Sequence, residues 1–139
     1  MGEQRISAPP SPIVEELRGE AERNAQIVRN LFEAVQRRDR DGVLSAYDPG
    51  IAIHEAPNLP YGGDYRGHQG GFEHEMGYRA AWDAVQSDAE RALDAEILAD
   101  RVVVLWTQKG RTPSTRESFS THVVSVYRPR DAHIVDSRM

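Results

Sequence analysis

The stretch Ile51–His74, IAIHEAPNLPYGGDYRGHQGGFEH, changes its structural period twice, and the fold turns on where it does so. Ile51 and Ile53 alternate with Ala52 and His54, the period of a half-buried strand. Pro57, Pro60, Gly62 and Gly63 then exclude regular structure for about six residues. Beyond them a helix is predicted from about Gly70 to Val85, with Phe72, Met76 and Ala80 on one face and Tyr78, Trp82 and Val85 on the adjoining one. His54, Glu55, Tyr61, Tyr65, His68 and His74 thus gather at the end of a strand, where loop meets scaffold and where binding and chemistry usually sit.

Upstream, residues 1–10 have no periodic apolar face and are expected to be a mobile lead-in. Ser11-Pro12 reads as a helix start, because a serine oxygen accepts an orphan N–H and proline at the first helical position needs no donor. Leu17, Ala21, Ala25, Val28, Leu31 or Phe32, and Val35 recur at spacings of three and four, one buried face of a helix running to about Arg38. Asp39 can cap a short second helix carrying Val43, Leu44 and Tyr47, which Asp48-Pro49-Gly50 ends as a turn.

Downstream the period falls to two. Leu93, Ala95 and Ile97 alternate with Asp94 and Glu96; Val102–Trp106 is a continuous apolar run; Gly110–Thr115 supplies a turn; Phe119–Tyr127 and His133–Met139 read as two further strands joined through Arg128–Ala132. Three helices with one strand among them, then four strands, predict an α+β domain over residues 11–139: an antiparallel meander with its helices segregated to one face. Because Val102–Trp106 is apolar on both parities, both faces of that strand need cover, and a homodimer through the outer sheet face is expected.

Composition narrows the function. The chain has 139 residues, a net charge of −5 and no cysteine, so disulfides, thiol nucleophiles and thiolate metal sites are excluded, and nucleic acid and anionic membrane are poor partners. Without an apolar run of membrane-spanning length or a secretory leader, the expected location is the cytoplasm. No GxSxG, phosphate-cradling glycine pattern or HExxH occurs; His68 and His74 would lie about 120° apart on a helix, so neither cofactor nor metal is expected.

What remains is acid–base chemistry in a pocket lined with aromatic residues, taking a small hydrophobic substrate. Candidate groups are His54 or Glu55 on the first strand, Trp106 on the middle one, His122 within FSTHVVSVY, and Asp136 within HIVDSR. Glu55 shares parity with Ile51 and Ile53, and Asp136 shares parity with Ile134, so these two carboxylates are expected to face inward. Tyr61 and Tyr65 offer hydroxyl donors from the loop, while Phe72, Met76, Trp82 and Trp106 are expected as apolar walls.

An amphipathic opening helix, a short second helix, IHEAPNLPYGGDYRGHQG running into a third, and a meander whose last turn precedes HIVDSRM together resemble the SnoaL-like polyketide cyclases of the nuclear transport factor 2-like superfamily. The resemblance covers about residues 13–139. It implies a cone-shaped curved sheet wrapped over three helices around an apolar pocket, and an enzyme that closes a polyketide-type ring by aldol chemistry or epoxide opening without a cofactor. It also implies a pocket acid near Asp136, a pocket histidine near His122 and loop contacts at Tyr61 and Tyr65. The chain departs from the family where Asp131-Ala132 replaces the usual Asp-Gly turn, and in stopping at Met139, where many relatives continue the strand. The superfamily also holds non-catalytic members, so a small-molecule-binding or assembly domain with the same cavity is the alternative.

Overall fold

The structure, a computed structural model, describes residues 11–88, 97–98 and 100–139. The expected lead-in and most of the Leu93–Ile97 strand lie outside the described residues. Helix α1 spans Pro12–Gln36, where Ser11 Oγ accepts from Val14 N at 3.3 Å and proline opens the first turn. Helix α2, Arg40–Ala46, is capped by Asp39 Oδ1 accepting from Gly42 N at 3.0 Å. Strand β1 runs Tyr47–Glu55 and strand β2 Gly63–Arg66, with helix α3 following at Gly67–Ala81. The remaining strands are β3 (Asp83–Asp88), β4 (Ile97–Leu98), β5 (Arg101–Arg111), β6 (Ser118–Arg130) and β7 (His133–Arg138).

These strands form one sheet in the order β2-β1-β7-β6-β5-β3, with β4 pairing a separate part of β5. All pairings are antiparallel except β1 with β7, so the sheet is mixed where the meander pattern predicted antiparallel strands only. Nothing local in sequence announces that pairing, because it joins strands about 82 residues apart with α3 and five strands between them. Three other expectations change. Asp48-Pro49-Gly50 belongs to β1, as an irregular stretch in which Gly50 N donates to Asp48 Oδ2 at 2.8 Å. Residues 63–66, read as loop, pair with β1. Helix α3 starts earlier than Gly70 and stops at Ala81, since Asp83–Asp88 is recruited by the β5 edge.

The inner sheet face packs on α1 and α2. Ile51 and Ile53 of β1, Val102, Val104 and Trp106 of β5, Tyr127 of β6 and Ile134 of β7 are buried against Val28, Leu31, Phe32 and Val43. Phe32 is the centre of this contact, edge-to-face with Trp106 at 5.6 Å and with Tyr127 at 6.0 Å between ring centroids. The outer face of β5 and β6 keeps apolar side chains without cover among the described residues: Leu105 and Val124, register partners, are 52% and 56% exposed.

A cavity opens where the loop between β1 and β2 arches over α3. Gly62 is required there, since a Cβ at that position would come within 2.2 Å of the Ala56 carbonyl oxygen.

Candidate functional site

The cavity has a volume of about 200 Å³ and is walled by Leu31, Phe32 and Val35 of α1, Trp106 and Gln108 of β5, and Val123 and Tyr127 of β6. Its floor and rim are Tyr47, Glu55, Leu59, Tyr61, Met139 and, from α3, Gly71, His74, Glu75, Tyr78 and Arg79. Most of this lining is apolar or aromatic, and the polar groups are few.

Helix α3 presents its polar contribution because of glycine. Gly70, Gly71 and His74 form its buried face, and a Cβ on Gly71 would lie 3.2 Å from the Tyr47 ring. The helix therefore approaches β1 closely enough for His74 Nε2 to sit 2.8 Å from Glu55 Oε2, with both side chains buried. Ala56 N donates to the other Glu55 oxygen at 3.2 Å. Tyr65 and Tyr61 stand edge-to-face with the imidazole at 5.1 and 6.0 Å, so the ring is held on several sides. Tyr65 in turn donates its hydroxyl to the Tyr61 carbonyl at 2.9 Å.

A salt bridge lies one turn along α3, Arg79 Nε donating to Glu75 Oε1 at 3.0 Å. The phenols complete the polar set. Burial raises the Tyr47 and Tyr127 pKa values far above that of a free phenol; for Tyr47 the neighbouring Tyr127, Glu75 and Glu55 add to the rise in that order. For Tyr127 the Ser125 hydrogen bond opposes burial, and Glu55 and Tyr78 add to it. Tyr61 is raised as well, chiefly by burial, while its hydroxyl accepts from Trp82 Nε1 at 3.0 Å. All three phenols stay protonated at neutral pH.

Of the groups predicted from sequence, Glu55, Tyr61 and Trp106 line the cavity. Trp106 uses its N–H on Ser125 Oγ at 2.9 Å, which leaves its ring as wall. Tyr65 and Trp82 stand one layer back, Tyr65 against His74 and Trp82 against Phe119 at 4.9 Å. Phe72 and Met76 are on the wrong side of α3: Phe72 carries the Arg40 guanidinium 4.7 Å above its ring, and Met76 is 44% exposed.

Asp136, His122 and His54 lie outside the cavity. The expectation for Asp136 rested on its shared parity with Ile134, and a β-bulge removes that parity: Pro129 pairs with Ile134 while Arg128 pairs with Asp136, leaving Val135 as the extra residue. Ser137 therefore takes the inward position opposite Ile53 and Tyr127, and Asp136 turns out. There it meets His54, whose Nε2 is 3.3 Å from Asp136 Oδ1 and whose Nδ1 is 2.8 Å from Asp64 Oδ1. Arg138 Nε donates to Asp136 Oδ2 at 3.1 Å. His122 is exposed on β6 beside Thr107, because its strand shows that face to solvent.

His74 belongs to the stretch that the sequence marks out, but the pattern gives it no role, and Glu75, Tyr78 and Arg79 are not predicted as site residues at all. Their signal was present in the i, i+3, i+4 glycines at 67, 70 and 71, which mark the face of α3 that approaches another backbone, and His74 and Tyr78 continue that face.

Comparison with known proteins bears on the family and the fold. A family model described as a SnoaL-like domain matches residues 28–137. No curated protein matches the sequence. Among solved structures, TerC co-crystallised with polyporic acid is 19% identical, with 84% of this chain and 88% of that chain covered at a TM-score of 0.74. A nuclear transport factor 2-like protein of unknown function from Burkholderia pseudomallei is 24% identical over the same shares, also at 0.74. A protein from Sinorhizobium meliloti, provisionally described as a polyketide cyclase, is 16% identical over 81% of this chain and 92% of that one, at 0.67. These likenesses concern the fold, which is of the nuclear transport factor 2-like type. No helix among the described residues is long and apolar enough to cross a membrane.

Proposed function

The chain belongs to the SnoaL-like domain family, and on that footing we propose that it is a cofactor-independent cyclase acting on a small hydrophobic, polyketide-type substrate by general acid–base catalysis. The observation that carries this reading is the buried Glu55–His74 pair, 2.8 Å apart in an otherwise apolar and aromatic cavity. A passive hydrophobic pocket gains nothing from a buried carboxylate and imidazole, whose desolvation is costly.

The pair shares a proton along one hydrogen bond, so either member can accept a proton from the substrate while the other balances the charge that develops. In an aldol closure the C–H bond beside a carbonyl breaks, its proton goes to the pair, and the electron pair forms the new C–C bond at a second carbonyl. The alkoxide left there takes the proton back. Epoxide opening uses the same pair in the same order: a hydroxyl proton is removed, the oxygen forms the new C–O bond as the epoxide C–O bond breaks, and the alkoxide so released takes the proton back. Both sequences balance without metal or redox cofactor.

A base probe tests the reading without the native substrate. 5-Nitrobenzisoxazole loses one C–H proton to a base and opens to a coloured phenolate. The wild-type protein should accelerate this over free carboxylate in buffer, and Glu55→Gln should abolish most of the acceleration. An unchanged rate in folded Glu55→Gln favours the alternative, a binding domain that uses the cavity without turnover.

A further inference from the structure

We propose that Arg79 anchors the substrate through a carbonyl oxygen, with Glu75 as the residue that positions it; the proposal rests on the cavity being the catalytic pocket. Arg79 and Glu75 both line that cavity, and they are joined through Arg79 Nε and Glu75 Oε1 at 3.0 Å. A contact through Nε fixes the guanidinium plane and leaves the two terminal nitrogens as a fork of donors, which no other described residue takes. The Arg79 side chain is 28% exposed and that of Glu75 is 11%, so the fork sits toward the opening with the carboxylate behind it.

Glu75 also has an oxygen, Oε2, that is buried with no partner among the described residues. A carboxylate held in so unfavourable a place is a poor stabiliser of the fold, and an apolar residue would pack there at lower cost. Its visible effect is on Arg79.

Charge selects the class of group that the fork receives. Glu75 already balances the guanidinium, and Glu55 is a second carboxylate of the same cavity, so an incoming carboxylate meets two like charges. A neutral carbonyl meets only donors. When the Glu55–His74 pair removes the proton beside that carbonyl, negative charge gathers on its oxygen, and a preorganised fork of N–H groups is then more strongly bound than in the ground state. The substrate is accordingly a compact cyclic or ring-forming ketone or ester whose reacting carbon is next to the anchored carbonyl.

The test is calorimetric titration with three shape-matched probes: 1-indanone, indane and indane-1-carboxylate. Wild-type protein should bind 1-indanone roughly 10-fold or more tighter than indane, the worth of a hydrogen bond to a charged donor. Arg79→Met should bring that ratio to about one, the ratio and not either single affinity being the readout, and Arg79→Lys, which keeps charge but loses the fork, should fall between. Glu75→Leu should lower the ratio several-fold, and Glu75→Gln, which retains an oxygen for Nε, should restore it; a purely structural role for Glu75 predicts no such rescue. A wild-type ratio of one, or a ratio that survives Arg79→Met, overturns the proposal. Tighter binding of the carboxylate than of the ketone overturns the carbonyl assignment. Equal binding of indane and 1-indanone removes the role of Arg79 and leaves the cavity as a ligand site, whereas failure of both to bind removes the catalytic reading and this proposal together. If circular dichroism shows Arg79→Met unfolded, the wild-type ratio and Arg79→Lys decide.

Discussion

Glu55→Gln exchanges one carboxylate oxygen for an amide nitrogen at nearly constant volume, so it separates proton transfer from packing. In the wild type His74 Nε2 lies 2.8 Å from Glu55 Oε2, and the side chains are 11% and 6% exposed. Glutamine can still accept from the imidazole N–H through its amide oxygen, so the fold should lose only the charge-assisted part of the bond, about 1 kcal/mol. Glu55→Leu, by contrast, leaves a buried N–H unpaired and should cost roughly 3–5 kcal/mol, as breaking a buried pair usually does. Catalysis should respond in the opposite proportion. Loss of a positioned base is worth roughly 10²–10⁴-fold in rate, or about 3–5 kcal/mol of transition-state stabilisation, and Glu55→Gln should show all of it. His74→Gln should lose a similar amount, and the double variant should lose little more than the worse single one, because the two groups act as one proton-carrying unit. The assay is initial rates on 5-nitrobenzisoxazole for the three variants, with circular dichroism and urea midpoints to confirm folding. Wild-type rates in both folded single variants would refute the catalytic assignment, and losses that multiply in the double variant would refute the shared proton.

Asp136→Asn and His122→Gln should leave the same base-probe rate within about two-fold, since both side chains lie on the outer sheet face; a large loss in either would move the chemistry out of the cavity. Ala132→Gly should raise stability by roughly 1 kcal/mol by urea denaturation, because Asp131 and Ala132 both have positive φ, 50° and 67°, and only glycine takes that conformation without a Cβ penalty; no gain would mean that the turn relaxes. Stability should fall as pH rises above the ordinary phenol value of 10.0, because Tyr47 and Tyr127 hold their protons in the fold while the unfolded chain releases them. Their contribution is complete below that pH, and Tyr47→Phe should flatten the decline in urea midpoints between about pH 9 and 11; a slope unchanged in that variant would contradict its burial. A homodimer is expected through the outer face around Leu105 and Val124, and Leu105→Asp should shift sedimentation to monomer; a clean wild-type monomer at micromolar concentration would refute it.

Parity along a regular strand was readable: Glu55 faces inward because Ile51 and Ile53 do, and the cap residues Ser11 and Asp39 start α1 and α2 where their side chains can accept backbone N–H groups. The same rule failed at Asp136, three residues from the end of the chain. A single unpaired residue, Val135, reverses everything after it, and no pattern in HIVDSRM distinguishes a bulged strand from a straight one.

The pairing of His74 with Glu55 was hidden for a different reason. Apolar periodicity weights Phe72, Met76 and Ala80 and so turns α3 to its wrong face, since glycine adds nothing to a hydrophobic count. Close packing reverses that weighting: at Gly70 and Gly71 an added Cβ would lie 3.1 Å from Tyr65 and 3.2 Å from the Tyr47 ring, closer than side chains usually pack. That approach is what brings His74 onto Glu55. The glycine face of α3 therefore sets the distance between His74 and Glu55, and a Cβ at position 71, 3.2 Å from the Tyr47 ring, would press on that contact without touching either group.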